Sequence, residues 1–234
     1  MAQWTEGQIL GFDLETTGIN PQEDVPVSFS LVYYQGWTKQ KAVNGLINPG
    51  VAIPEQASAI HGITNEMAEA KGRPLLESIS AIADGLVMAS ERGIPVVGMN
   101  VGYDLQMIDA QLRRLLGKSL FESGWTGPAI DILVIDRHTD RYRKGGRKLI
   151  DLCGHYGVAG ESLHDVSSDV EATVAVLAQL VERYPELAKL TLRELHWKQQ
   201  QWHREWAENF SKYLVSKGKD PLPESEFSWP LRSA

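Results

Sequence analysis

The stretch LGFDLETTG, Leu10–Gly18, joins a run of strand formers to a turn. Alternate residues of a strand point to the same face, so Asp13 and Glu15 are neighbours on one side of it. Two like charges that close repel. Either one of them caps a turn or pairs with an arginine, or a divalent cation makes the clustering favourable. The strand that carries them is expected over residues 8–14, which makes it the first core element of the chain.

Working outward, VPVSFSLVYYQG (25–36) alternates and is rich in strand formers, and KAVNGLIN (41–48) follows a turn near Gly36. With the first strand they predict an antiparallel meander. A turn-rich segment with short helical pieces leads to LLESISAIADGLVMASERG (75–93), whose apolar residues recur at helical spacing up to a stop at Gly93. Then come a short strand IPVVGMN (94–100), an amphipathic helix over 103–117, an apolar strand AIDILVID (129–136), a helix over 148–158 and a long helix over 167–184. Three strands followed by alternating helices and strands predict an α/β fold, a mixed sheet with helices packed on it. No internal repeat or low-complexity tract is present. From about Leu187 the composition turns polar and tryptophan-rich. Trp202, Trp206, Phe210 and Tyr213 recur at helical spacing, which predicts a last helix docked on the body or, alternatively, a surface for a partner or for base stacking. The tail from Asp220 is expected to be extended.

Further acids fall in suggestive places. Asp104 lies in the first turn of a helix just after the strand ending near Asn100, and Asp169 near the start of the long helix. Either Ser168 with Glu171 forms a capping box or Asp165 caps one turn earlier. If the strands ending near Glu15 and Asn100 are parallel neighbours, Asp13, Glu15 and Asp104 gather at the end of the sheet where open α/β sheets place their sites. Asp169 can join them from a helix crossing that edge, with His164 on the loop before it.

FDLETTG, NVGYDLQMID and HDVSSDVEAT together resemble the three motifs of the DEDDh 3′–5′ exonucleases, the DnaQ-like enzymes that include the proofreading subunit of bacterial DNA polymerase III. PEQASAIHGIT is similar to that group's HGIT loop. The resemblance covers roughly residues 7–184. It implies a ribonuclease H-like mixed five-stranded sheet flanked by helices, an exonuclease domain over 1–186, and a C-terminal aromatic-rich helix and tail over 187–234. It also implies hydrolysis of single-stranded or frayed DNA ends to nucleoside 5′-monophosphates with two divalent cations, Mg²⁺ or Mn²⁺. Asp13, Glu15, Asp104 and Asp169 would hold the cations and His164 would be the general base. Leu14, Thr16, Thr17 and His61 would meet the 3′-terminal nucleotide, although Thr16, Thr17 and His61 suit turn chemistry equally. In one departure, Met99 stands before Asn100 where many members have histidine. An RNA-trimming or oligoribonucleotide exonuclease, or an inactive polymerase-associated scaffold, would share the fold.

Composition bounds these readings. The chain has 234 residues, is 43% hydrophobic and carries a net charge of −7. The acidic balance argues against a polyanionic partner, but RHTDRYRKGGRK (137–148) is strongly basic and offers a phosphate track or a solvated loop. The acids are too dispersed for a calcium loop, and the single Cys153 with scattered histidines gives no zinc pattern. Cys153 is expected in the core. Its solitude excludes an intramolecular disulfide and fits a cytoplasmic protein. The N-terminus lacks a secretory pattern and no apolar run suits a membrane. Expected partners are DNA 3′ ends, RNA as a second candidate, and a polymerase or other replication protein met by the C-terminal region.

Overall fold

The computed structural model describes residues 3–160 and 166–231. Its elements are β1 (Gln8–Thr16), β2 (Pro26–Gln35), β3 (Thr38–Asn48), α1 (Glu55–His61), α2 (Asn65–Lys71), β4 (Arg73–Pro74), α3 (Leu75–Glu91), β5 (Val96–Gly98), α4 (Val101–Leu116), β6 (Ala129–Asp131), α5 (Ile132–Thr139), α6 (Leu149–Tyr156), α7 (Val166–Arg183), α8 (Glu186–Lys189) and α9 (Leu192–Ser216). The sheet runs in the order β4-β3-β2-β1-β5-β6. β1, β2 and β3 form the antiparallel meander, and β1 pairs in parallel with β5, as does β5 with β6. The sheet has six strands rather than five, because Arg73–Pro74 adds a two-residue edge beside Ile47 and Asn48. The sequence marks that segment only as turn-rich.

β1 explains the layering. Its Leu10, Phe12 and Leu14 face one core with α3 and α4, whereas Ile9 faces a second core with α6 and α7. Asp13 and Glu15 share the face of Ile9 by the alternation of the strand. Gly11 is also on that face. A Cβ there would lie 2.3 Å from Cγ1 of Val170, so glycine lets α7 lie directly against β1. Cys153 is buried in the same core.

Two expectations about elements need correction. AIDILVID is strand only over Ala129–Asp131 and becomes α5 at Ile132. A short apolar run suits a buried strand or a buried helix equally, and the side chain of Asp131 decides by accepting the Leu133 amide as an N-cap (3.0 Å). The tail is not simply extended. It forms a 3₁₀ turn at Glu224–Phe227 and returns to bury Trp229 against α4.

α9 has a structural task at the β6 edge. Gln199 accepts the Asp131 amide (2.7 Å) and donates to the Ala129 carbonyl (3.1 Å), while Nδ1 of His196 accepts the Ala129 amide (3.1 Å). Side chains of a helix thus occupy backbone groups that an uncovered edge strand would leave open. Of the aromatic stripe, Trp202 packs on both cores.

Candidate metal centre

The C-terminal ends of β1 and β5 lie side by side, which brings the acids together. Carboxylate oxygens of Asp13, Glu15 and Asp169 lie within 4.8 Å of one another. Asp13 and Glu15 arrive from alternate positions of β1. Asp169 arrives from the first turn of α7, whose partial positive charge favours a carboxylate. Helix α7 starts at Val166, ahead of Ser168, so Ser168 is not its N-cap. Glu171, the other half of the expected box, forms an ion pair with Lys39 instead. His164 and Asp165 lie outside the described residues.

Asp104 stands beside this trio without joining it. It is 3% exposed, in the first turn of α4. Burial and then the charge of Asp131 push its pKa well above the usual carboxylate range, partly offset by hydrogen bonds from its own amide and from the Leu14 backbone. Asp13 is raised too, by burial first and then by Asp104, Glu15 and Asp169. Carboxylates packed in this way either keep protons or take up cations. An all-oxygen donor set fits a hard divalent cation such as magnesium, and among the described residues no cysteine or histidine belongs to the cluster.

Around the acids the turn is tightly built. The side chain of Thr17 is buried; its hydroxyl donates to Asp24 (3.0 Å) and accepts the Val25 amide (3.1 Å). A Cβ on Gly18 would meet the Asp24 carboxylate at 2.6 Å. Thr17 and Gly18 therefore serve the turn. Thr16 donates to the Gly18 carbonyl (2.8 Å) and shares a hydrogen bond with the Tyr103 hydroxyl (2.9 Å), which itself reaches Gly18 O (2.6 Å). Burial raises the Tyr103 phenol to about 12. Leu14 is buried, so only its backbone can face a ligand. His61 is buried at the end of α1. Its Nδ1 accepts the Ile63 amide (3.1 Å), and its Nε2 lies near the Thr16 backbone without a hydrogen bond of good geometry among the described residues. Burial lowers its pKa. The HGIT loop thus stands against the end of β1.

Sequence reasoning did not single out Asp131 or Trp229, and it noted Tyr103 only as the aromatic residue before Asp104. Asp131 is 1% exposed and accepts from the Asn100 amide (3.0 Å), the Leu133 amide (3.0 Å) and the Trp229 indole (3.2 Å). It holds Asn100 in a left-handed conformation (φ 61°) at the start of the helix that bears Asp104. Pro230 accepts from Gln106 (3.0 Å) on that same helix. A polar residue ending an apolar strand was the available signal for Asp131. A tryptophan about 100 residues downstream gave none.

An exonuclease family model, RNase_T, matches residues 10–177. A DNA polymerase III of PolC type from Thermotoga maritima is 26% identical over 183 residues, which is 78% of this chain and 12% of that relative. The 3′-5′ exonuclease DinG of Bacillus subtilis is 24% identical over 186 residues, 78% of this chain and 18% of DinG. The chain thus spans less than a fifth of the length of either relative. Exonuclease I of E. coli, solved with a dT13 oligonucleotide, has the same fold, with a TM-score of 0.64 and 22% identity over 77% of this chain and 42% of that one. The family match covers more than half of the chain and contains the acids of β1, α4 and α7, and so this protein belongs to the RNase_T family of exonucleases.

Proposed function

We propose that the chain is a metal-dependent 3′–5′ exonuclease that hydrolyses single-stranded or frayed DNA ends to nucleoside 5′-monophosphates. The observation that carries this reading is the meeting of Asp13, Glu15 and Asp169 within 4.8 Å, with Asp104 buried beside them. The direction is supported by the named activity of DinG, and the single-stranded substrate by the oligonucleotide bound to exonuclease I. Residues 1–186 would form the exonuclease domain and 187–234 its extension, whose helix α9 covers the β6 edge.

Divalent cations, when bound, would neutralise the phosphate and activate water. Asp13, Glu15 and Asp169 would hold the cations, with Asp104 supporting them from α4. His164, five residues before Asp169 in sequence, would accept the proton of the attacking water; an imidazole suits this near neutrality. The Leu14 backbone and Thr16 would bound the 3′-nucleotide pocket, with His61 setting the loop that closes it and Thr17 fixing the turn beneath.

The test is a time course on single-stranded DNA labelled at its 5′ or 3′ end, with Mg²⁺, Mn²⁺ and EDTA arms and a matched RNA strand. Laddering of the 5′-labelled DNA that EDTA abolishes is expected. Activity that survives EDTA would exclude the metal mechanism, and faster RNA turnover would reassign the substrate. Unchanged activity in Asp13→Ala would mark the site as vestigial.

A further inference from the structure

A second feature of the molecule is suited to a polyanion. Helices α5 and α9 flank a groove of about 570 Å³, lined on one side by Arg137, Arg141 and Tyr142 and on the other by Trp206, Phe210 and one acid, Glu205. Cations are in surplus on the first side. Arg143 and Arg147 both turn to the one buried carboxylate of Asp136, at 3.1 Å for Arg143. The guanidinium carbon of Arg137 lies over the ring of Trp206, 3.7 Å from its centre. Burial, together with repulsion from Arg147, lowers its pKa to about 10. This concentration of guanidinium groups occurs in a chain of net charge −7.

The other side is a row of nearly parallel rings. Trp206 and Phe210 stack at 5.3 Å with planes 12° apart, and Phe210 and Tyr213 at 6.2 Å with planes 20° apart. The outer ring, Tyr213, is 54% exposed, and Tyr142 across the groove is 86% exposed. Arg141 lies over the Tyr142 ring and Lys217 over the Tyr213 ring, each 5.7 Å from its centre, and exposed aromatic rings set beside cations suit single-stranded nucleic acid, because every base has a face to stack and every linkage a charge to neutralise. A protein partner would have less use for both features at once. Asp131, whose charge acts on Asp104, caps the start of α5, and Arg137 lies about 9 Å further along it at 1.5 Å per residue.

We propose that the α5–α9 groove is an accessory site for single-stranded nucleic acid, holding the part of the strand that lies 5′ of the terminus being cut. Phosphates would meet Arg141, and bases would stack on Tyr142 and Tyr213. The inference rests on the exonuclease reading for its substrate but not for its binding.

Arg141→Glu and Tyr142→Ala test it, singly and together, because both side chains are exposed and outside the acidic site. Thermal melting should match the parent protein. The kinetics of a trinucleotide should stay unchanged, while KM for a strand of about twenty nucleotides, longer than typical single-strand sites, should rise roughly tenfold at constant kcat. Fluorescence anisotropy of that strand in EDTA should show about tenfold weaker binding and a shallower salt slope in the charge variant. Unchanged long-strand KM and EDTA affinity would overturn the proposal, as would variants that lose a bound protein but keep the strand. If the parent protein hydrolyses neither substrate, the exonuclease reading fails. The EDTA binding comparison then decides the groove alone, and equal affinities for parent and double variant would overturn it.

Discussion

Two buried acid settings lie at neighbouring corners of this molecule. Asp136, 0% exposed, accepts from Arg143 (3.1 Å), from Arg147 and from the Tyr156 hydroxyl (2.8 Å). Its charge is answered by the protein itself. Asp13 is pressed by Asp104, Glu15 and Asp169, all of which push its pKa up. Both burials cost desolvation. The first is met within the fold and tethers α5 to the basic loop and α6. In the second, the neighbouring carboxylates add to that cost. A buried carboxylate ringed by cations therefore reads as architecture, and one ringed by carboxylates as a cation site.

Substitutions that remove the charge should separate the two settings by sign. Asp13→Asn should abolish nuclease activity, on the order of 10⁴-fold in kcat/KM as for an essential catalytic group, measured on single-stranded DNA. The same change should stabilise the metal-free fold. A carboxylate whose folded pKa is raised keeps its proton in the folded state. Its stabilising contribution is complete below the unfolded value near 4 and is lost as pH rises through the folded pKa. Urea unfolding in EDTA at several pH values should therefore show the advantage of Asp13→Asn growing as pH rises, and saturating Mg²⁺ should erase it. A parent protein that gains stability relative to the variant with rising pH would refute the assignment.

Asp136→Ala should behave oppositely. It leaves two buried guanidinium groups without their carboxylate, a loss of about 3–5 kcal/mol in urea unfolding at any ionic condition. Metal should not rescue it. Gly11→Ala probes how the acidic setting is assembled, because its methyl would press on Val170 and lift α7 from β1. Overpacking of this kind costs about 1–3 kcal/mol. Mn²⁺ affinity by calorimetry should fall more than stability does, since Asp169 moves with the helix. The smallest effect is expected of Trp229→Phe. An aromatic side chain is kept, but part of the buried indole and its one hydrogen bond to Asp131 are lost, the hydrogen bond alone about 1.5 kcal/mol or slightly more for a charged acceptor. Weaker Mn²⁺ binding with a melting temperature only a few degrees lower would show that Asp131 and the tail help position Asp104.

Legibility in the sequence followed the range of the interaction concerned. β1 was readable because its alternation is a backbone property, and so were the acids on one of its faces and Asp104 and Asp169 in the first turns of α4 and α7. The pairing of β1 with β5 was a conditional expectation that the sheet order meets. AIDILVID could not be read correctly, because an uninterrupted apolar run carries no period. The edge strand Arg73–Pro74 is too short to leave a pattern. Trp229 is a further case: a Pro-rich tail reads as extended, yet this one returns to the second acidic motif across the whole chain.

The sequence by itself determined which side chains could do the chemistry and how each would sit on its own element, since residue type and local periodicity depend only on neighbours along the chain. Tertiary structure decided which of them meet. Gly11 has no local reason to be glycine, and only the approach of α7 makes a Cβ there impossible. Asp131 is one acid among 30 acidic residues until packing sets it beside Asp104, and Gln199 and Trp229 find it only because α9 and the tail cover the open edge of the sheet. Contacts of that kind are fixed by the burial of whole faces, a quantity spread over the entire chain.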